Sequence, residues 1–101
     1  MHIVVWEFTV RLGAEPAFIE LYGPSGAWIA LFSKAPGYLG TELLRAADGS
    51  ARYLTIDRWS SAAAYAEFRR KAGDAYARLD RQGEALTVSE RAIGEWIPAM
   101  D

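Results

Sequence analysis

Three carboxylates lie within runs of β-branched and aromatic residues: Glu7, Glu42 and Asp57. Carboxylates held close together, or away from water, gain proton affinity and can then act as acids or bases near neutral pH. Arg45, Arg52 and Arg58 are the cations nearest to them in sequence. Glu42 and Asp57 are expected to pair with these arginines or to face solvent. Glu7 alternates with Ile3, Val5 and Thr9, so its neighbours are apolar and it needs a partner or water. It is expected to face the interior near a partner such as Arg58, or to have a raised pKa.

A second set is aromatic. Tyr22, Trp28, Phe32, Tyr65, Phe68 and Tyr76 all fall in helical patterns. Rings on helices that cover a sheet usually fill the core. They can also line a flat pocket between helices and sheet, where Tyr and Trp offer an apolar body with one polar handle. Such a pocket would hold an aromatic or polycyclic small molecule. Four Trp, five Tyr and four Phe are more large rings than a core of this size needs, which favours an oligomer interface, a ligand cavity, or both.

Other chemistries are excluded or weak. There is no cysteine, so no thiolate nucleophile, disulfide or cysteine metal site can exist. One histidine, His2, cannot build a multi-histidine centre, and as an acid-base it lacks a nameable partner. No glycine-rich phosphate loop, nucleophile elbow or His-Glu metal pair occurs. The basic run Arg69-Arg70-Lys71 has Glu67 and Asp74 beside it and reads as a solvated helix face. A net charge of -2 gives no support to nucleic-acid binding. The apolar run Ile3 to Trp6 is too short for a signal peptide or a membrane span, so the expected setting is the cytoplasm.

The elements that must position these residues follow from periodicity. His2 to Arg11 reads as a strand, with Val4, Trp6, Phe8 and Val10 on one face. Pro16 sits in the first turn of a helix, where its missing N–H costs nothing. Gly23-Pro24-Ser25-Gly26 breaks that helix, and Trp28, Ile29, Leu31 and Phe32 form a second helical stretch. Tyr38 to Arg45 and Arg52 to Trp59 read as strands joined by the Asp48-Gly49 hairpin turn. Leu54 and Ile56 share one face of the later strand; Tyr53, Thr55, Asp57 and Trp59 share the other. Ser60 or Ser61 caps a further helix, kinked or broken at Gly73 and ending near Gln82-Gly83. After an irregular stretch, Ala92 to Ile97 reads as the last strand.

The order β-α-β-β-α-β implies an α+β, ferredoxin-like fold with a four-stranded antiparallel sheet. The 101 residues suffice for one domain spanning the whole chain. Helices cover one sheet face. The other is expected to be apolar and bare, which implies a two-fold homodimer with sheets packed face to face.

Three stretches carry a family resemblance: Tyr22-Gly23-Pro24-Ser25-Gly26-Ala27-Trp28, Ala35 to Leu44 with its Pro36-Gly37-Tyr38 approach to the strand, and Tyr53 to Trp59. Together with the following helix and its Tyr65 and Phe68, the sequence resembles the antibiotic biosynthesis monooxygenase domain family. The resemblance implies a dimeric α+β barrel and the oxidation of a small aromatic molecule. Some members are quinone-forming oxygenases that use neither metal nor flavin, and others degrade haem. The haem-degrading pattern has Asn, Trp and His at positions that fall here on Glu7 or Phe8, on Phe68, and near Tyr76 and Ala77. None is kept, so no haem, flavin or metal cofactor is expected. For cofactor-free oxidation the resemblance calls for a base and an anion-stabilising donor. Glu7, Arg58 and Tyr76 are the catalytic candidates, with Tyr22, Trp28, Phe32, Tyr65, Phe68 and Trp59 as substrate-binding candidates. The alternative is a non-catalytic barrel that binds a small hydrophobic ligand or serves as an accessory module.

Overall fold

In the computed structural model, which describes residues 1–100, strand β1 runs His2–Val10 and is followed by helices α1 (Glu15–Tyr22) and α2 (Ala27–Phe32). The hairpin β2 (Tyr38–Arg45) and β3 (Arg52–Trp59), the long helix α3 (Ala62–Leu86) and β4 (Thr87–Trp96) complete the chain. The strands form one antiparallel sheet in the order β2-β3-β1-β4. This is the α+β ferredoxin-like arrangement. Among the described residues no helix is long and apolar enough to cross a membrane.

Local chemistry fixes the elements. Pro16 occupies the first turn of α1. Ser61, not Ser60, caps α3: its Oγ accepts the Ala64 N–H at 3.1 Å, satisfying one of the free donors of the first turn. At the β2–β3 hairpin the Ser50 N–H donates to Asp48 Oδ1 at 2.9 Å, which closes the turn on a side chain.

Alternation along the two central strands divides the residues cleanly. Val4, Phe8 and Val10 of β1 and Tyr53, Thr55, Asp57 and Trp59 of β3 are buried beneath the helices. They pack with Phe18 and Tyr22 of α1, Trp28 and Phe32 of α2, and Phe68 and Leu79 of α3. The rings touch in a continuous series, with Phe18 stacked on Tyr22 at 4.3 Å and Phe32 edge-on to Trp59 at 5.7 Å. The opposite face carries Ile3, Val5, Leu54 and Ile56, but also Glu7, Glu42, Arg58 and Arg91. It is mixed rather than wholly apolar, because ion pairs span the spaces between the aliphatic residues.

The C-terminal third differs from the sequence reading. Helix α3 does not stop at Gly83 but continues to Leu86, and β4 begins at once with Thr87. Gly83 serves close approach rather than termination: a Cβ there would lie 2.1 Å from the Tyr22 hydroxyl. Strand β4 begins five residues before the expected Ala92 and ends at Trp96, short of Ile97; register shifts opposite Val5/Trp6 and Thr9/Val10 interrupt the alternation by which its first half would show in the sequence.

Candidate functional site

Between the sheet and the helices lies a cavity whose floor is Val4, Trp6 and Phe8 of β1, Thr41 of β2, and Thr55 and Asp57 of β3. Its walls are Tyr22 from α1, Trp28, Ile29 and Phe32 from α2, Tyr65, Tyr76 and Asp80 from α3, and Glu90 from β4. Its empty space is about 580 Å³ counting the open mouth, most of it narrow. The rings stand close together, so a large ligand has to displace them.

Asp57 is the chemically distinctive residue. It is 8% exposed, and no cation pairs with it among the described residues. The Thr41 hydroxyl donates to its Oδ1 at 2.7 Å. Burial pushes its carboxyl up to about 6, against the pull of the Thr41 hydrogen bond. Register explains the placement: Asp57 pairs across β3 and β2 with Thr41, and both project toward the helices. From the sequence Asp57 is expected to meet an arginine or solvent, and it meets neither. Its strand face was nevertheless shared with Tyr53, Thr55 and Trp59, and a carboxylate alternating with a strand-end Trp was the available sign.

Two phenols that line the cavity with Asp57 are held neutral. Burial pushes Tyr76 up to about 12, and it pushes Tyr22 up further, helped by the nearby Glu90 carboxylate. Arg69 lies over the Tyr76 ring, 4.2 Å from its centroid, and donates to the Tyr65 hydroxyl at 3.2 Å. Arg69, Arg70 and Lys71 are all exposed, as expected for a solvated face, with Arg69 directed to the two tyrosines and Arg70 and Lys71 paired with Glu67. Desolvation also raises Glu90, reinforced by Asp80 and Glu84. The Trp28 Nε1 is buried beside Tyr22 without a well-formed hydrogen bond.

Of the residues named from the sequence, Tyr22, Trp28, Phe32, Tyr65 and Tyr76 line the cavity together. Phe68 and Trp59 stand behind that wall, with their rings 5.0 Å apart. Glu7 and Arg58 are not brought to it. Glu7 projects from the other sheet face, where Arg91 reaches it at 3.0 Å and Arg52 at 3.7 Å. Arg58 pairs with Glu42, also on that face. The physical reason is the period of two: Glu7 is out of phase with Trp6 and Phe8, and Arg58 with Asp57 and Trp59. His2 has a partner in Glu95, 2.6 Å from its Nε2, outside the cavity.

The fold resembles that of the cofactor-independent oxygenase SnoaB from Streptomyces nogalater, with a TM-score of 0.80 at 23% identity, covering 99% of this chain and 94% of that one. The ActVA-Orf6 monooxygenase of Streptomyces coelicolor, solved with nanaomycin D, gives 0.79 at 20% identity, covering 99% and 88%. A variant of MhuD with manganese protoporphyrin IX bound gives 0.75 at 21% identity, covering 100% and 97%. No curated protein matches the sequence. Residues 1–73, from β1 to the kink of α3, match the family described as antibiotic biosynthesis monooxygenase. The chain belongs to the antibiotic biosynthesis monooxygenase family.

Proposed function

We propose that the chain is a cofactor-independent monooxygenase that oxidises an electron-rich phenolic polycycle, with Asp57 as the base. The observation that carries this reading is a buried, cation-free carboxylate lining an aromatic-walled cavity. A carboxyl near 6 holds a proton about a hundredfold more tightly than one at 3.8, yet is still largely ionised at neutral pH. Taking a proton from an ordinary phenol, near 10, remains uphill by about 4 pK units, or about 5 kcal/mol. The anion therefore needs donors, and Tyr76 and Tyr22, which line the cavity and are kept neutral by burial, are the candidates.

Dioxygen is the co-reactant. For a hydroxyanthrone in its phenolic enol form, Asp57 takes the ring hydroxyl proton, and the resulting anion, delocalised onto the ring carbon opposite, gives one electron to dioxygen. The carbon radical and superoxide combine, forming a C–O bond, and the peroxide recovers the proton. Loss of water breaks the O–O bond and the remaining C–H bond and leaves a ring carbonyl. The sum is CH2 plus O2 to C=O plus H2O.

Protoporphyrin, present on the MhuD variant, does not fit these residues. No His faces the cavity, burial disfavours a tyrosinate ligand at Tyr22 or Tyr76, and Asp57, Asp80 and Glu90 would repel the propionates. Titration with hemin is expected to give no tight Soret-shifted complex; a stoichiometric one that turns over with reductant would contradict the cofactor-free reading.

A homodimer through the open sheet face belongs to the same proposal. Ile3, Val5, Leu54 and Ile56 lie there under no helix, flanked by Leu44 and Trp96, which are 42% and 53% exposed. The test of function is oxygen uptake with a panel of hydroxyanthrones. Tight binding of the panel without oxygen consumption would support a ligand-binding module instead.

A further inference from the structure

We infer that Thr41 and Tyr38 are positioning residues for Asp57: together they fix which carboxylate oxygen meets the ligand. The inference rests on the role proposed above for Asp57. An ionised carboxylate can only accept, so the Thr41 hydroxyl must spend its single proton on Asp57 Oδ1, at 2.7 Å. Thr41 Oγ1 is also 2.7 Å from the Tyr38 hydroxyl. With the Thr41 proton committed, Tyr38 must be the donor of that second bond. The chain therefore has one direction, Tyr38 to Thr41 to Asp57.

Each member is held by the packing around it. The Tyr38 ring packs on Phe32 at 5.4 Å and edge-on to Trp59 at 5.3 Å, so its hydroxyl has a fixed aim. Thr41 is β-branched and sits directly across the ladder from Asp57. Oδ1 is thereby occupied, whereas Oδ2 accepts no hydrogen bond among the described residues, and Asp57 lines the cavity. A base whose free oxygen is pre-aimed loses little on ligand binding, and misplacement by about 1 Å can cost about a hundredfold in rate. Trp59, buried and without a hydrogen bond of its own, then acts as the support that seats Tyr38.

The test uses the full chain and four variants: Thr41→Val, Thr41→Ser, Tyr38→Phe and Asp57→Asn. One readout is the Asp57 carboxyl titration in the ligand-free protein, followed by carbon NMR. The other titratable groups facing the cavity are Tyr65, Tyr76 and Asp80 from α3, Glu90 from β4 and Tyr22 from α1, with Arg69 beside Tyr76, and among the described residues none of them hydrogen-bonds to Thr41; Tyr38 alone loses its partner in Thr41→Val, and Tyr38→Phe is the control for that loss. Loss of the Thr41 hydrogen bond should move the Asp57 midpoint to higher pH by about one pH unit. The second readout is oxygen uptake with 1,8-dihydroxy-9-anthrone. In Thr41→Val, kcat should fall about 10- to 100-fold with KM little changed, Tyr38→Phe should fall less, and Thr41→Ser should restore both readouts. An unmoved Asp57 titration or undiminished kcat in Thr41→Val overturns the positioning role. Failure of the underlying reading looks different: the wild-type chain consumes no oxygen, or Asp57→Asn still does. In that case the titration alone upholds or overturns the pinning of Oδ1.

Discussion

At the scale of single residues, Asp57 trades stability for proton affinity. Its folded pKa, about 6, lies above its unfolded value of 3.8, so the native state holds the proton more tightly. Stability linked to that proton is fully present below about pH 4 and is lost as pH rises through 6. Above that the penalty is about 3 kcal/mol, from 1.36 kcal/mol per pK unit. Asp57→Asn is therefore expected to unfold later than wild type at pH 8, with the gain vanishing near pH 4. Denaturant curves at the two pH values check this, and equal curves at both would remove the buried charge from the account. Glu7→Gln should do little, because Glu7 is partly open to solvent on the far face; a loss of about 1 kcal/mol and unchanged turnover are expected. The two rings Trp28 and Tyr76 should separate. Trp28 is 6% exposed and Trp28→Ala should cost about 3–5 kcal/mol, whereas Tyr76→Ala should cost less and weaken ligand uptake more. The aromatic wall was legible in helical spacing. The base was not, because alternation told which residues share a face but not which face has a cavity beneath the helices. Once that face is known, Asp57 replaces Glu7 by phase alone.

Element by element, α3 departs furthest from a regular pattern. Gly73 takes φ 44 and ψ -113 inside an otherwise helical run, so the helix turns between Phe68 behind the wall and Tyr76 in it. A side chain at that backbone geometry is strained, and Gly73→Ala should lose roughly 1–3 kcal/mol by denaturant unfolding. No loss, or a gain, would mean that the helix straightens freely and that the kink does not place Tyr76. Composition marked the break at Gly73 but misread Gly83, since a glycine required for close approach looks the same in sequence as one that ends a helix. Strands β2 and β3 were legible to their ends and β1 to within one residue, Arg11 lying past its end, because two-residue alternation marks most of each. The first half of β4 was not, because its bulges against β1 break the two-residue period that identifies a strand.

For the molecule as a whole, the sheet is covered on one side and open on the other, and the proposed dimer closes it. Sedimentation at micromolar concentration should give about twice the chain mass of 11.2 kDa, and Ile56→Glu should give the monomer. A monomeric wild type would refute the closure without touching the cavity, which one chain lines by itself. The fold was readable from element order, and the family from the stretches between Tyr22 and Trp59. The cavity was not readable, since it depends on how closely Tyr22, Trp28, Phe32, Tyr65 and Tyr76 meet above Asp57. The most direct measurement is oxygen consumption by the purified chain with 1,8-dihydroxy-9-anthrone, beside Asp57→Asn in the same buffer without added metal or flavin. The account predicts one dioxygen consumed per anthrone converted to the quinone by wild type, and a rate at least about a hundredfold lower in the variant. Equal rates from the two proteins would contradict it.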